Sequence, residues 1–403
     1  MKILHVIHSL DPRSGGPSHA LYELSRAQVD QGNSVSIIAS DRQSGEQWFT
    51  SSDYLKCIKN SLPGGLANVS IIPSYGRYRP WVRYAYSPQC TSFIYKALGC
   101  HLRSSPTIDF VHVHGLFSQI TQKTTDICDR LKIPYAVRPT GALDALPLKR
   151  GFTLFKRIFL RYLLKNSLEK ASFVHATSES EARSLKKLNF DLRIKSVPLG
   201  VTVPNWDPKY YQSVFHRRFS GLKGKRIVLC LSRIHPIKRL GLALEAFKNL
   251  RLNLEDCQLV IAGTPTKHQQ SLEKLANALG VSEHVHFTGF LDGDLKAGAF
   301  FSSDVFLQTS EHENFGLGVM ESMAHGLRVV CTKGVAAGKH VASSQGGLFV
   351  SDTPEAVAHG LCDVMNNHPS PCDLNLARRV SNSFSWDAIA KQLDVYYRHS
   401  TQK

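Results

Sequence analysis

The chain has 403 residues, 42% of them apolar and 20% charged, the make-up of a globular protein. That length exceeds what one hydrophobic core usually covers, so two domains are expected. Net charge is +17 and uneven: residues 1–200 hold 27 Lys/Arg against 14 Asp/Glu, and residues 201–403 hold 22 against 18. A basic first half fits an anionic partner (membrane lipid, a phosphate-bearing substrate or nucleic acid) or a merely basic surface.

No apolar run approaches the ~18–20 residues needed to span a bilayer. The stretch from Met1 to His8 has one basic residue and a short apolar run, and reads as a first strand rather than a signal peptide. The nine cysteines are scattered with no Cys-x-x-Cys pair, which predicts reduced, structural thiols and a cytosolic setting.

In chain order, strands are predicted at residues 3–7, 35–39, 69–72, 110–114, 135–138, 173–176 and 194–197. A second series follows at 227–231, 258–262, 285–288, 305–307, 329–331 and 348–350. Several are apolar on consecutive residues, as expected when both faces of a sheet are covered. Helical stretches alternate with them, which argues for parallel α/β sheets. Two such series predict two doubly wound, Rossmann-like domains. The boundary falls within 200–225, where Gly200, Pro204 and Pro208 punctuate a polar stretch. Ligands of open α/β sheets bind beyond the carboxyl ends of the strands, so the cleft between the domains is the expected site.

Three motifs carry chemistry. The first is Ser14-Gly15-Gly16-Pro17, after the first strand. Pro17 suits the first position of a helix running to about Gln31, with Gly32 at its C-terminal cap. Gly15 and Gly16 would admit a phosphate close to the backbone, or simply form a tight turn. The pattern is not Gly-x-Gly-x-x-Gly, so a nicotinamide dinucleotide is disfavoured. The second motif places Arg233 at the end of a strand and Lys238 five residues on, beside Pro236. An arginine fork and a lysine point charge suit a diphosphate. The third runs from Ser310 to Gly326 and contains Glu313, Phe315, Gly316, Leu317, Gly318 and Glu321. A polar loop turns glycine-rich and then helical, and free N–H groups at a helix start favour an anion. The two carboxylates flank that position and accept hydrogen bonds from polyol hydroxyls. Acidic residues near a helix start also offset its dipole, which is the plain alternative. Phosphate between two polyols describes a sugar nucleotide.

Arg233 with Lys238, then Val260-Ile261-Ala262-Gly263, Phe287-Thr288-Gly289-Phe290, Glu313 and Glu321 occur in an order and at spacings that resemble the retaining GT-B glycosyltransferases of family 4 (glycosyl transferase group 1). Ala324-His325-Gly326-Leu327-Arg328 extends the resemblance, with Arg328 where the family usually has proline. In the first half the resemblance is looser: Gly15-Gly16-Pro17, the stretch Asp109 to Gly115, and Ala176-Thr177-Ser178. The resemblance implies a domain 1–203 on the acceptor side, a nucleotide-sugar domain 204–380, and a helix at 381–403 that crosses back to the first domain. It implies that Arg233 and Lys238 hold the donor diphosphate, Glu321 the ribose, and Glu313 the transferred sugar. Amides of Phe315, Gly316 and Leu317 meet sugar or phosphate, Gly263 belongs to the donor site, and Gly15 and Gly16 approach the diphosphate. His114 is the family's histidine near the transferred sugar, with His112 expected on the same side of its strand. Glu313, His114, Arg233 and Lys238 form the expected catalytic group. No Asp-x-Asp motif offers a divalent-ion site, and the family implies no metal and no cofactor beyond a UDP- or GDP-sugar as substrate.

On the acceptor side, residues 75–86 interleave three arginines with five aromatics, suiting a membrane interface, a sugar or a polyanion. Residues 149–170 place Phe152, Phe155, Ile158, Phe159, Tyr162 and Leu163 at helical spacing among basic residues. Such a helix lies on anionic lipid or buries its apolar face at home. The expected acceptor is a glycan or polyprenyl-diphosphate-linked glycan at the inner membrane face, in surface-polysaccharide assembly, with the protein cytoplasmic and no nucleic acid bound. Trp386 is expected as a packing anchor. A nucleotide-sugar 2-epimerase and a non-catalytic sugar-nucleotide-binding protein share the architecture and are the competing readings.

Overall fold

In this computed structural model, residues 1–11, 16–40, 68–72, 87–99, 107–144, 160–202, 205–367 and 372–402 are described. The first series of strands is β1 (Lys2–Ser9), β2 (Ser34–Ser40), β3 (Asn68–Ile72), β4 (Phe110–His114), β5 (Tyr135–Arg138), β6 (Phe173–Ala176) and β7 (Ile194–Ser196). The second is β8 (Arg226–Leu231), β9 (Cys257–Ala262), β10 (Val285–Gly289), β11 (Val305–Gln308), β12 (Val329–Thr332) and β13 (Gly347–Val350). They build a seven-stranded sheet in the order β3-β2-β1-β4-β5-β6-β7 and a six-stranded sheet in the order β10-β9-β8-β11-β12-β13. Pairing is parallel throughout. Both orders reverse direction beside their first strand, at β1/β4 and β8/β11, the doubly wound pattern.

Consecutive apolar residues in the central strands follow from cover on both faces. All five residues of β4 are buried. One face of the first sheet, through Leu4, Val111, Val137 and Val174, packs on Ile94, Ile120, Leu164 and Leu168. The other, through Ile3, Phe110, Ala136 and Phe173, packs on Leu24 of the helix Gly16–Asp30 and on Ile389, Leu393 and Tyr397 of the helix Trp386–Thr401. The C-terminal helix is therefore part of the first core. At roughly 25 cal/mol per Å² of apolar surface, an anchor such as Tyr397 contributes a few kcal/mol.

The chain divides into two compact units. The first is Met1–Gly200 with Trp386–Lys403, and the second is Val201–Ser385. The chain leaves the second unit at Ser385, not at residue 380. The helix Leu374–Phe384 stays behind because it packs against the helix Leu317–Ala324. Trp386 is 6% exposed, and a Cβ on Gly200 would lie 2.4 Å from its ring, so only glycine fits beneath it. The unfamiliar Arg328 is held by Asp373 Oδ2 at 2.9 Å and donates to the Gln345 carbonyl at 2.6 Å.

Two expectations about the first unit change. The helix of the first motif starts at Gly16, so Pro17 is its second residue. Tyr162, on the apolar stripe expected either against its own core or on lipid, is 74% exposed and so not part of the core. Leu160–Leu164 forms a π-helical turn whose wider repeat moves the inward face to Leu160, Leu164 and Leu168, all buried. Of the two acceptor-side segments, residues 75–86 and 149–159 lie outside the described residues. Among the described residues no two cysteines form a disulfide. No described helix is long and apolar enough to cross a membrane.

Candidate functional site

The second sheet extends past its strand ends through backbone bonds. Ser232 N donates to Ala262 O at 2.9 Å, and Gly263 N donates to Gly289 O at 2.9 Å. A Cβ on Gly263 would lie 2.0 Å from the Ser232 carbonyl oxygen, so glycine is required here by the close approach of its own neighbour. After Ser232 comes Arg233, exposed and, among the described residues, without a side-chain partner. The turn Pro236–Lys238 is opened by His235, whose Nδ1 accepts from Ile237 N at 3.3 Å, and closed by Arg239 in the left-handed region at φ 50°. Arg239 is bound to Asp352 Oδ2 at 2.7 Å, which separates it from the two cations of the motif.

Lys238 instead turns to Glu313. Its Nζ forms an ion pair with Glu313 Oε2, and both side chains are largely buried. Backbone bonds fix the two loops against each other: Glu311 N donates to Ile237 O at 2.9 Å, and Thr309 Oγ1 donates to Lys238 O at 2.9 Å. Glu313 N donates to Gly334 O at 2.9 Å and Ala336 N donates to Glu313 O at 3.0 Å, so the glutamate backbone is pinned on both sides. Gly316 follows at φ 87°, a conformation that favours glycine, and caps the helix Leu317–Ala324 without a side-chain hydrogen bond. The first amides of that helix, Leu317 and Gly318, have no carbonyl one turn earlier within it. Glu321 lies one turn on, 5% exposed, with Lys296 Nζ at 2.7 Å from its Oε1. Phe315 is buried beneath the loop.

Lys238, Glu313, Phe315, Gly316 and Leu317 therefore converge at the carboxyl ends of β8 and β11, with Arg233, Gly263 and Glu321 on the flanking turn and helix. Cations, acceptor-only carboxylates and open amides in one place can bind an anion bracketed by hydroxyls. Lys296 was not foreseen. It pairs with Glu321 across 25 residues of sequence, and no local spacing announces it.

Gly16 and His114 belong to the first unit, and Gly15 lies outside the described residues. His114 does not stand alone. It is 1% exposed and shares one face of the sheet with His112, their ring centres 4.2 Å apart. His5 and His175 complete the layer, and register sets His114 beside Arg138. Burial, and next the Arg138 charge, push the His114 ring well below the usual histidine range, while burial leads the same shift in His5 (to about 4) and His175 (to about 3). Arg138 is 1% exposed, and among the described residues none of its guanidinium nitrogens has a hydrogen-bond partner. Burial lowers its pKa to about 10, with Glu181 opposing. Ring nitrogens of His5, His112 and His114 lie within 4.8 Å of one another, a spacing open to a metal ion. Both nitrogens of His5 and of His112 are however engaged in hydrogen bonds, and a buried guanidinium beside them opposes a cation. A cavity of about 620 Å³ at the other end of the first sheet, among Asp109, Asp129, Lys132 and Arg398, shares no residue with either group.

Comparison with known proteins supplies the family. The description "Glycosyl transferases group 1" matches residues 214–382, and "Glycosyltransferase Family 4" matches residues 14–203. The chain is 29% identical over 199 residues to the GDP-mannose-dependent alpha-(1-6)-phosphatidylinositol dimannoside mannosyltransferase of Mycobacterium tuberculosis, covering 49% of this chain and 50% of that protein. It is 26% identical over 216 residues to the D-inositol 3-phosphate glycosyltransferase of Corynebacterium urealyticum, covering 51% of each. The chain thus spans about half the length of the curated relatives it matches. Among solved structures, the sucrose-phosphate synthase of Thermosynechococcus elongatus superposes with a TM-score of 0.72 at 17% identity over 99% of both chains. Anabaena HepE, solved with UDP and glucose, superposes with a TM-score of 0.72 at 17% identity over 98% of both. At that identity the likeness shows the fold.

Proposed function

The chain belongs to the group 1, family 4 glycosyltransferases of the GT-B fold, and from that membership we propose that it moves a sugar from a nucleotide-sugar donor to a glycan or lipid-linked glycan. The observation that carries this reading is the meeting of Lys238, Glu313 and the uncapped start of the helix Leu317–Ala324 at the strand ends of the second sheet. In the proposed complex, Lys238 and the fork of Arg233 take the donor diphosphate. Glu321 accepts from the ribose and Glu313 from the transferred sugar. A relative named as GDP-mannose-dependent and a fold neighbour holding UDP support UDP or GDP as the base-bearing half.

Breaking the bond to the diphosphate develops negative charge on the leaving phosphate and positive character on the sugar. Fixed cations and amides stabilise that charge without rearranging, which is where preorganised sites gain most. Two cations and a helix start supply this without a metal ion. The acceptor hydroxyl attacks on the face the phosphate leaves, the phosphate takes its proton, and the anomeric configuration is retained. Glu313 then needs no nucleophilic role, unlike the carboxylate pair of retaining glycosidases. His114 contacts the transferred sugar. The basic surplus of residues 1–200 supports an acceptor at an anionic membrane face, as in surface-polysaccharide assembly.

A thermal-shift panel of UDP, GDP, ADP and their sugars tests the reading. A nucleotide at about 100 times its Kd stabilises the fold by roughly 2.7 kcal/mol. One of UDP or GDP is expected to raise the melting temperature in the wild type and not in Arg233→Ala. No shift with any member of the panel would overturn it.

A further inference from the structure

The buried polar layer of the first unit holds two hydrogen-bonded branches, one given its polarity by a backbone carbonyl and the other by an amide oxygen. His175 Nε2 lies 2.8 Å from the Val197 carbonyl oxygen. A carbonyl only accepts, so His175 carries its proton on Nε2. A neutral imidazole has one proton, so His175 Nδ1 accepts. Its donor is His112 Nε2 at 3.3 Å. His112 Nδ1 in turn accepts from the Tyr397 hydroxyl at 2.6 Å. The Tyr397 hydroxyl ends this branch, since Gln28 Nε2 has no hydrogen-bond partner among the described residues. A second branch starts at Gln28, whose amide oxygen faces His5 and only accepts. His5 Nε2 donates to Gln28 Oε1 at 2.7 Å. His5 Nδ1 must then accept, and its donor is His114 Nε2 at 2.9 Å. This branch ends at His114 Nδ1, which is buried and, among the described residues, has no hydrogen-bond partner.

We propose that His5 and Gln28 are positioning residues that hold His114 in its Nε2–H tautomer, so that a bare Nδ1 lone pair accepts a hydroxyl of the transferred sugar. The inference rests on the reading that His114 contacts that sugar. Arg138 supports it from the adjoining strand. An unpartnered buried guanidinium disfavours a second proton on any of the four rings. A doubly protonated ring would donate from both nitrogens and erase the polarity.

The test uses the full chain with ¹⁵N-labelled histidine. Nitrogen NMR reads the tautomer directly, and His114→Gln assigns the ring by loss of its signals. The wild type is expected to show a protonated Nε2 and a bare Nδ1 on His114. Gln28→Leu is expected to mix the two tautomers and lower kcat about tenfold, at unchanged KM for UDP-glucose or GDP-mannose, whichever raises the melting temperature. The rate is read as donor hydrolysis. Gln28→Glu keeps an acceptor oxygen toward His5 and is expected to restore both. A proton on His114 Nδ1 in the wild type overturns the inference whether or not Gln28→Leu folds. Gln28→Leu with tautomer and kcat unchanged also overturns it. If His114→Gln hydrolyses donor at the wild-type rate, the sugar-contact reading fails instead, and the spectrum still decides the tautomer.

Discussion

The two sheets share a strand order around their first strand but spend their polar residues differently. In the second unit the charges of the candidate site stand at strand ends, on turns tied down by backbone bonds, and Glu313 and Glu321 each face a lysine. In the first unit the polar groups lie within the sheet face itself, as neutral rings bonded to one another around a lone guanidinium. The first arrangement offers charge to a ligand. The second fixes where protons sit. A doubly wound sheet can therefore prepare a ligand in two ways, by electrostatics at its loops or by hydrogen-bond polarity in its core.

The sharpest break of that contrast removes a cation from the loop side. Arg233→Ala or Lys238→Ala is expected to lower kcat/KM by about 3 kcal/mol each, roughly a hundredfold, as loss of one preorganised donor does. Wild-type transfer rates in either variant would contradict the assignment. Glu313→Ala is expected to lose activity while nucleoside diphosphate still binds, read by calorimetry. Loss of binding would show that the glutamate serves the diphosphate after all.

Gly263→Ala separates packing from ligand contact. Its Cβ would collide with the Ser232 carbonyl. A loss of about 2 kcal/mol of folding stability in urea titration is expected. Unchanged stability with weakened donor binding would make Gly263 a ligand contact only.

The histidine layer predicts a pH dependence. Unfolded histidines take a proton near 6.5, whereas burial holds His5 down to about 4 and His175 to about 3. The unfolded chain therefore binds more protons as pH falls below 6.5. The layer's contribution is full above that value and declines toward pH 4, by about 1.4 kcal/mol per pH unit for each such ring. Urea midpoints at pH 7 and pH 5 measure it, and equal stability at both would contradict a dry, neutral layer. The smallest effect concerns the basic surplus. Flotation with anionic vesicles is expected to recover more protein than flotation with neutral ones, and equal recovery would remove the membrane from the account.

Much of the second unit was legible in the sequence, because turns and helix starts restrict residue type. Gly316 stands at φ 87° where the chain must turn, and Arg233 and Lys238 flank a proline-marked turn after a strand of plain apolar pattern. The first unit was legible in its strands but not in its chemistry. His5, His112 and His175 occupy ordinary strand positions, and their partners Gln28, Val197 and Tyr397 come from distant segments. Only the His112-Val113-His114 alternation hinted that two rings share a face. The π-helical turn at Leu160–Leu164 misled the helical spacing of Tyr162 because its repeat is wider than that of an α-helix. Lys296, the lysine partner of Glu321, was invisible for the same reason as Tyr397: contact without proximity in sequence.

The most direct test is a crystal structure with a UDP- or GDP-sugar bound. The account predicts the diphosphate on Arg233 and Lys238, the ribose on Glu321 and the sugar on Glu313. A nucleotide sugar seated away from these four side chains would contradict it.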